Sequence, residues 1–230
     1  MDELKIKWVE MPTYNTVMAV AAGCGLLLVV ALGRRLVKEQ PTTADGWALA
    51  FGVLGFILTA TGLHMTLTWP LAGQGFPFDN IIFGEPSLAF GVMLLATSFY
   101  LWRRGDVLAD ADPLGTAARV AGPLSLFVFA MGLACFGIAA AGVRYQLFAA
   151  PPQEPLTGVF AGVPWVEATF ISLLYALVGV GAVLFPFALR ARRGVVLSIT
   201  GLAWTVAGAI FLLFGALNYF THIGLIVNTM

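Results

Sequence analysis

Residues 62–86 read GLHMTLTWPLAGQGFPFDNIIFGEP. An apolar run carries His64, one of two histidines in the chain, and ends at Trp69 and Pro70. A polar turn follows, and Glu85 and Pro86 open the next apolar run. Tryptophan gathers at membrane–water interfaces, and proline ends a helix at the residue before it. The stretch therefore reads as two membrane-spanning helices joined by a short turn, and the rest of the chain repeats that pattern.

Apolar runs cover about 13–33, 47–69, 86–102, 120–143, 165–189 and 195–221. At 1.5 Å per residue these suit a hydrocarbon layer of about 30 Å, the third run being the shortest. None alternates with period two, which disfavours a barrel of strands. The expectation is an all-α polytopic membrane protein, with six transmembrane helices in a single transmembrane domain over residues 1–230. With 60% hydrophobic and 10% charged residues and a mean hydropathy of +0.91, the chain has too few charges to cover a soluble surface. Its net charge is zero and it has no basic arm, which excludes nucleic acid as a partner. Cys24 and Cys135 lie inside apolar runs and read as small buried hydrophobes. The opening MDELKIKWVEMP is followed by no small-x-small cleavage site, so the first run is expected to be a retained helix.

Arginine and lysine set the orientation. One side would hold Arg34, Arg35, Lys38, Arg103, Arg104, Arg119, Arg190, Arg192 and Arg193, the other only Lys5, Lys7 and Arg144. Positive charge in short loops stays cytoplasmic, which predicts both termini outside and residues 70–80 in the first outer loop. The inner stretch DVLADADP (106–113) lacks calcium-loop spacing and reads as a solvated loop capping the next turn. The outer connection RYQLFAAPPQEPLTGVFAGVPW (144–165) is proline-rich and reads as a stiff or re-entrant cap.

An internal pattern accompanies this topology. VEMPTYN, FGEPSLAFG and VPWVEATF place Glu10, Glu85 and Glu167 at the outer starts of alternate helices, each running to a basic inner end. TGLHMTL, AGVRYQL and GALNYFTHIG place His64, Arg144 and Asn218 at the outer ends of the others. Three repeated helical hairpins about a pseudo-threefold axis would produce this, as parallel repeats do in some carriers. Topology alone also brings polar residues to helix ends.

The ionisable residues of the outer side are Glu10, His64, Asp79, Glu85, Arg144, Glu154, Glu167 and His222. His64, flanked by Thr61 and Thr68, and His222, four residues after Asn218, fall near outer helix ends. Joined by Glu85 and Glu167, the two histidines form a candidate outward-facing metal- or ligand-binding site, with imidazole and carboxylate suited to zinc, copper or iron. A single haem between two histidines ranks below these ions, and no CxxCH attachment sequence is present. Against this, glutamates favour helix starts for their free amides alone, and Trp8, Trp69, Trp165, Trp47 and Trp102 form an ordinary interfacial belt.

No nucleophile elbow, Walker loop, dinucleotide fingerprint or HExxH pair occurs. Mid-membrane charge is missing, which argues against a central proton relay. Beside the ligand- or metal-binding reading stand two others: a structural or accessory subunit of a larger membrane complex, and a small transporter or channel. Expected partners are membrane lipids, other membrane proteins or further copies of the chain.

The segments GLHMTLTWPL and FGEPS resemble those of a family of small prokaryotic membrane proteins known only as a domain of unknown function. The resemblance covers most of the chain. It implies a multi-helix protein of a bacterial or archaeal cytoplasmic (inner) membrane, and carries no catalytic role onto His64 or Glu85.

Overall fold

The computed structural model describes residues 6–40, 43–69, 76–110 and 112–230. Lys5 and the beginning of the turn after Trp69, with Pro70, lie outside these. Among the described residues six helices are long and apolar enough to cross a membrane. They are α1 (Asn15–Val37), α2 (Ala44–Leu67), α3 (Glu85–Arg103), α5 (Ser125–Tyr145), α6 (Trp165–Ala191) and α7 (Val195–Thr229). A seventh, short helix α4 (Pro113–Ala121) precedes α5. The chain is thus an all-α, multi-pass membrane protein.

Three boundaries differ from the sequence expectation, each for a local reason. The third span begins at Asn80 rather than near 86, because a π turn (Asn80–Gly84) leads into α3. The run expected from 120 is split. Asp112 caps α4 by accepting a hydrogen bond from the Gly115 N–H at 2.8 Å, Pro113 occupies its first turn, and α5 starts only at Ser125. α7 runs to Thr229 and is about 52 Å long at 1.5 Å per residue, well beyond the hydrocarbon thickness. The proline-rich connection after α5 packs on this excess length. Asn228 Nδ2 donates to the Gln153 carbonyl at 2.7 Å, and Gly224 faces Pro155 so closely that no side chain would fit between them.

Three helix pairs pack most extensively: α2 with α3, α5 with α6, and α1 with α7. α6 also lies along α7, while α1 with α2 and α3 with α5 meet over smaller contacts. Small residues set the three tight pairs. A Cβ added at Gly62 would stand 2.5 Å from the Leu88 nitrogen, one at Gly23 2.4 Å from the Leu212 nitrogen, and one at Gly132 2.9 Å from the Val183 nitrogen. In a bilayer the hydrophobic effect does not drive helices together, so close backbone approach between small residues carries much of the association. Gly55 and Gly62, Gly84 and Gly91, and Gly208 and Gly215 recur at heptad spacing, which keeps them on one face of each helix. The hairpins expected from the outer glutamates group the helices differently from these pairs, α3 with α5 being the loosest of them.

One end of the bundle carries Arg34, Arg35, Arg103, Arg104, Arg119, Arg190, Arg192 and Arg193, and the other Glu10, Asp79, Glu85, Glu154 and Glu167. These are called the basic and acidic ends. At the basic end Arg192 pairs with Asp112 and Arg193 with Glu39, both at 3.2 Å and exposed, so each contributes little to stability. Cys24 and Cys135 are free thiols.

The end of α2 is tied to the π turn from inside. Asn80 Nδ2 donates to the carbonyls of Met65 and of Thr68, the latter at 2.8 Å, satisfying acceptors that the end of α2 leaves open. Replacing buried Asn80 by alanine strands both carbonyls. We expect Asn80→Ala to cost about 1–3 kcal/mol, read as earlier thermal unfolding in detergent, with Asn80→Asp no better because it lacks the donor.

Candidate functional site

α1, α3, α5, α6 and α7 line a half-open cavity of about 450 Å³, to which α2 contributes no wall. Its middle is apolar, with Leu26 and Val29 from α1, Phe90 and Met93 from α3, Val128 and Met131 from α5, and Trp204 and Phe211 from α7. These residues belong to spans whose own apolar faces point inward here instead of toward lipid. Trp204 is kept dry but satisfied, its indole N–H donating to the Val178 carbonyl at 3.2 Å.

The cavity's carboxylates and its one imidazole collect at the acidic end: Asp79, Glu154, Glu167 and His222. Four separate segments deliver them. Asp79 sits just before the π turn, Glu154 in the proline-rich connection, Glu167 in the first turn of α6 and His222 near the end of α7. The extra length of α7 is what brings His222 beside the connection, with its Nε2 3.8 Å from Glu154 Oε1. Glu167 Oε2 accepts a hydrogen bond from the Ala150 N–H at 2.8 Å, which ties the connection down over α6. Tyr175 donates to the Ile82 carbonyl at 2.6 Å, stacks on Phe148 with ring centroids 5.8 Å apart, and so fixes the π turn against α6.

Asp79 differs from its neighbours. It is only 7% exposed, and among the described residues its carboxylate has no ion pair and accepts no hydrogen bond. Burial pushes its pKa up to about 7. Two further polar atoms of the lining are buried without a partner, the Trp8 indole nitrogen and Asn15 Oδ1. Buried polar groups without a partner are costly.

Of the four residues singled out from sequence, Glu167 and His222 line the cavity and His64 and Glu85 do not. His64 is exposed near the end of α2 and shares a 2.6 Å hydrogen bond with the Tyr14 hydroxyl, the two rings meeting edge to face. Glu85 is exposed at the start of α3. Among the described residues no group of three or more His, Cys, Asp and Glu side chains converges closely enough to hold a metal ion. Asp79 and Glu154 belong to the outer ionisable set, yet nothing in their local sequence marks them above the others. The available signal was an aspartate set among aromatics in FPFDN, and a glutamate within a proline-rich segment otherwise poor in charge.

A family model described as "Protein of unknown function (DUF981)" matches residues 11–224, and the chain belongs to that family. No curated protein and no solved structure matches the chain.

Proposed function

We propose that this family member binds an amphiphile, a lipid-like molecule whose apolar part fills the bundle and whose polar head rests among Asp79, Glu154, Glu167 and His222. The observation that carries this reading is the polarity of the cavity, apolar along its middle and carboxylate-bearing at one end. A volume of about 450 Å³ falls within the range of small-molecule pockets, roughly 300–1,000 Å³. The apolar middle suits an alkyl or isoprenoid chain better than a polar solute in transit, which favours binding over conduction. Arginine placement supports a prokaryotic cytoplasmic membrane with the basic end inside and the acidic end, with both termini, outside.

The three tight pairs also support an internal threefold arrangement, with its unit shifted by one helix from the expected hairpins. Each pair joins one helix to the next glutamate-bearing one, α2 to Glu85, α5 to Glu167 and α7 to the helix after Glu10.

The test is direct. Protein purified in a mild neutral detergent should carry an extractable amphiphile, near one per chain by mass spectrometry, and Met93→Trp should expel it by filling the apolar middle. A cavity that takes up no apolar fluorescent probe, in wild type and Met93→Trp alike, would sink the reading. A second occupant, zinc, copper or iron, is favoured by one distance. Ligands about 2.0–2.2 Å from a shared ion lie roughly 3–4 Å from each other, as His222 Nε2 and Glu154 Oε1 do at 3.8 Å. Elemental analysis of wild type and His222→Ala decides that point.

A further inference from the structure

We propose that the head of the bound amphiphile is cationic, an alkylammonium, recognised by a carboxylate and aromatic box at the acidic end of the cavity. The inference rests on the amphiphile reading and names its chemical class.

Charge complementarity is the first support. Asp79, Glu154 and Glu167 line the acidic end, and no lysine or arginine does so among the described residues. Arg144, which is near this end, is exposed and lies over the Tyr145 ring, 5.5 Å from its centroid. Lys7 is likewise exposed, pairing with Glu10 at 3.6 Å. A phosphate, sulfate or free carboxylate head would therefore meet three acidic groups and find no cationic side chain of the described lining to offset them. Such like-charge contact disfavours an anionic head.

Asp79 supplies the independent observation. Its side chain lines the cavity, is nine-tenths buried, and is without a hydrogen-bond or ion-pair partner among the described residues. Glu154 is nearly as enclosed, its side chain 10% exposed, with the His222 imidazole 3.8 Å away. Buried carboxylates that no protein cation neutralises are a high-cost arrangement, and an ammonium ligand removes the cost. Aromatic rings complete the fit. Trp8, Phe76, Phe148 and Tyr175 line the same end, and an ammonium group with low hydration is drawn to ring faces as well as to carboxylates.

The experiment uses full-length protein in nanodiscs of neutral lipid, with a neutral apolar fluorescent probe in the cavity. Three competitors of equal chain length are compared: an alkyltrimethylammonium, an alkyl sulfate and an alkyl maltoside. The ammonium is expected to displace the probe at a concentration at least roughly tenfold below that of the sulfate. In Glu154→Gln and Asp79→Asn, each checked for folding by thermal unfolding, the ratio between ammonium and maltoside should collapse toward one. Displacement by the sulfate at equal or lower concentration overturns the cationic assignment and leaves the amphiphile reading standing. An undiminished ammonium preference in both variants also overturns it. Failure of all three competitors, with probe signal insensitive to Met93→Trp, removes the amphiphile reading and this inference with it.

Discussion

Gly62→Ala is expected to be among the most damaging single substitutions in the bundle. The new methyl group would stand 2.5 Å from the Leu88 nitrogen and 2.9 Å from both the Gly84 carbonyl oxygen and the Leu88 Cα, all of them backbone atoms that no rotamer change can move. α2 and α3 must separate to admit it, and this is one of the three tight pairs on which the fold depends. Overpacking of this sort costs about 1–3 kcal/mol where side chains can adjust, and backbone contact should place it at the upper end. Gly137 in α5 is the internal control. Nothing lies within 4 Å of a Cβ added there, so Gly137→Ala should be neutral or stabilising by about 0.5–1 kcal/mol through helix propensity. Thermal unfolding of both variants in one detergent checks the pair of signs. Equal behaviour would show that close backbone approach is not what holds α2 to α3.

The second large effect concerns Asp79 and has a definite pH signature. Its carboxyl has a pKa raised by burial from an ordinary 3.8 to about 7. Below about pH 4 it is protonated in folded and unfolded chains alike and costs nothing. Between pH 4 and 7 the unfolded chain releases a proton that the folded chain retains, so stability falls as pH rises. Above 7 the full penalty applies, at most about 4 kcal/mol for a shift of roughly three pH units. Asp79→Asn removes the penalty. It should raise the unfolding temperature at pH 8, with the gain shrinking toward nothing near pH 4. The other titratable groups of the same wall, Cys135, Tyr175, Glu154, Glu167 and His222, remain in both proteins and cancel in the comparison. A variant less stable than wild type at pH 8 would mean that Asp79 is already well partnered.

The spans were legible because membrane crossing imposes length and apolarity on each segment separately. α4 was not, since nine residues of mixed character disappear inside a longer apolar window. The far end of α7 was missed for a related reason. Asn218 and His222 look like an approach to water, yet in the fold they face a cavity. Topology placed all four residues chosen for the site at one end of the bundle, and of these Glu167 and His222 line the cavity. Topology sorts residues by depth and side. It says nothing of azimuth, and azimuth is what puts Glu167 inside and leaves Glu85 exposed, though both begin a helix beside a proline. The glycine heptads do contain azimuthal information, and Gly55, Gly62, Gly84 and Gly91 together would have paired α2 with α3.

α3 and α5, both walls of the cavity, meet over only a small contact. Entry between them would give the proposed amphiphile a route from the bilayer that never crosses water. For such a guest the governing quantity is mole fraction in the membrane rather than molarity in the buffer. For the amphiphile proposed above, occupancy would then follow the composition of the surrounding leaflet.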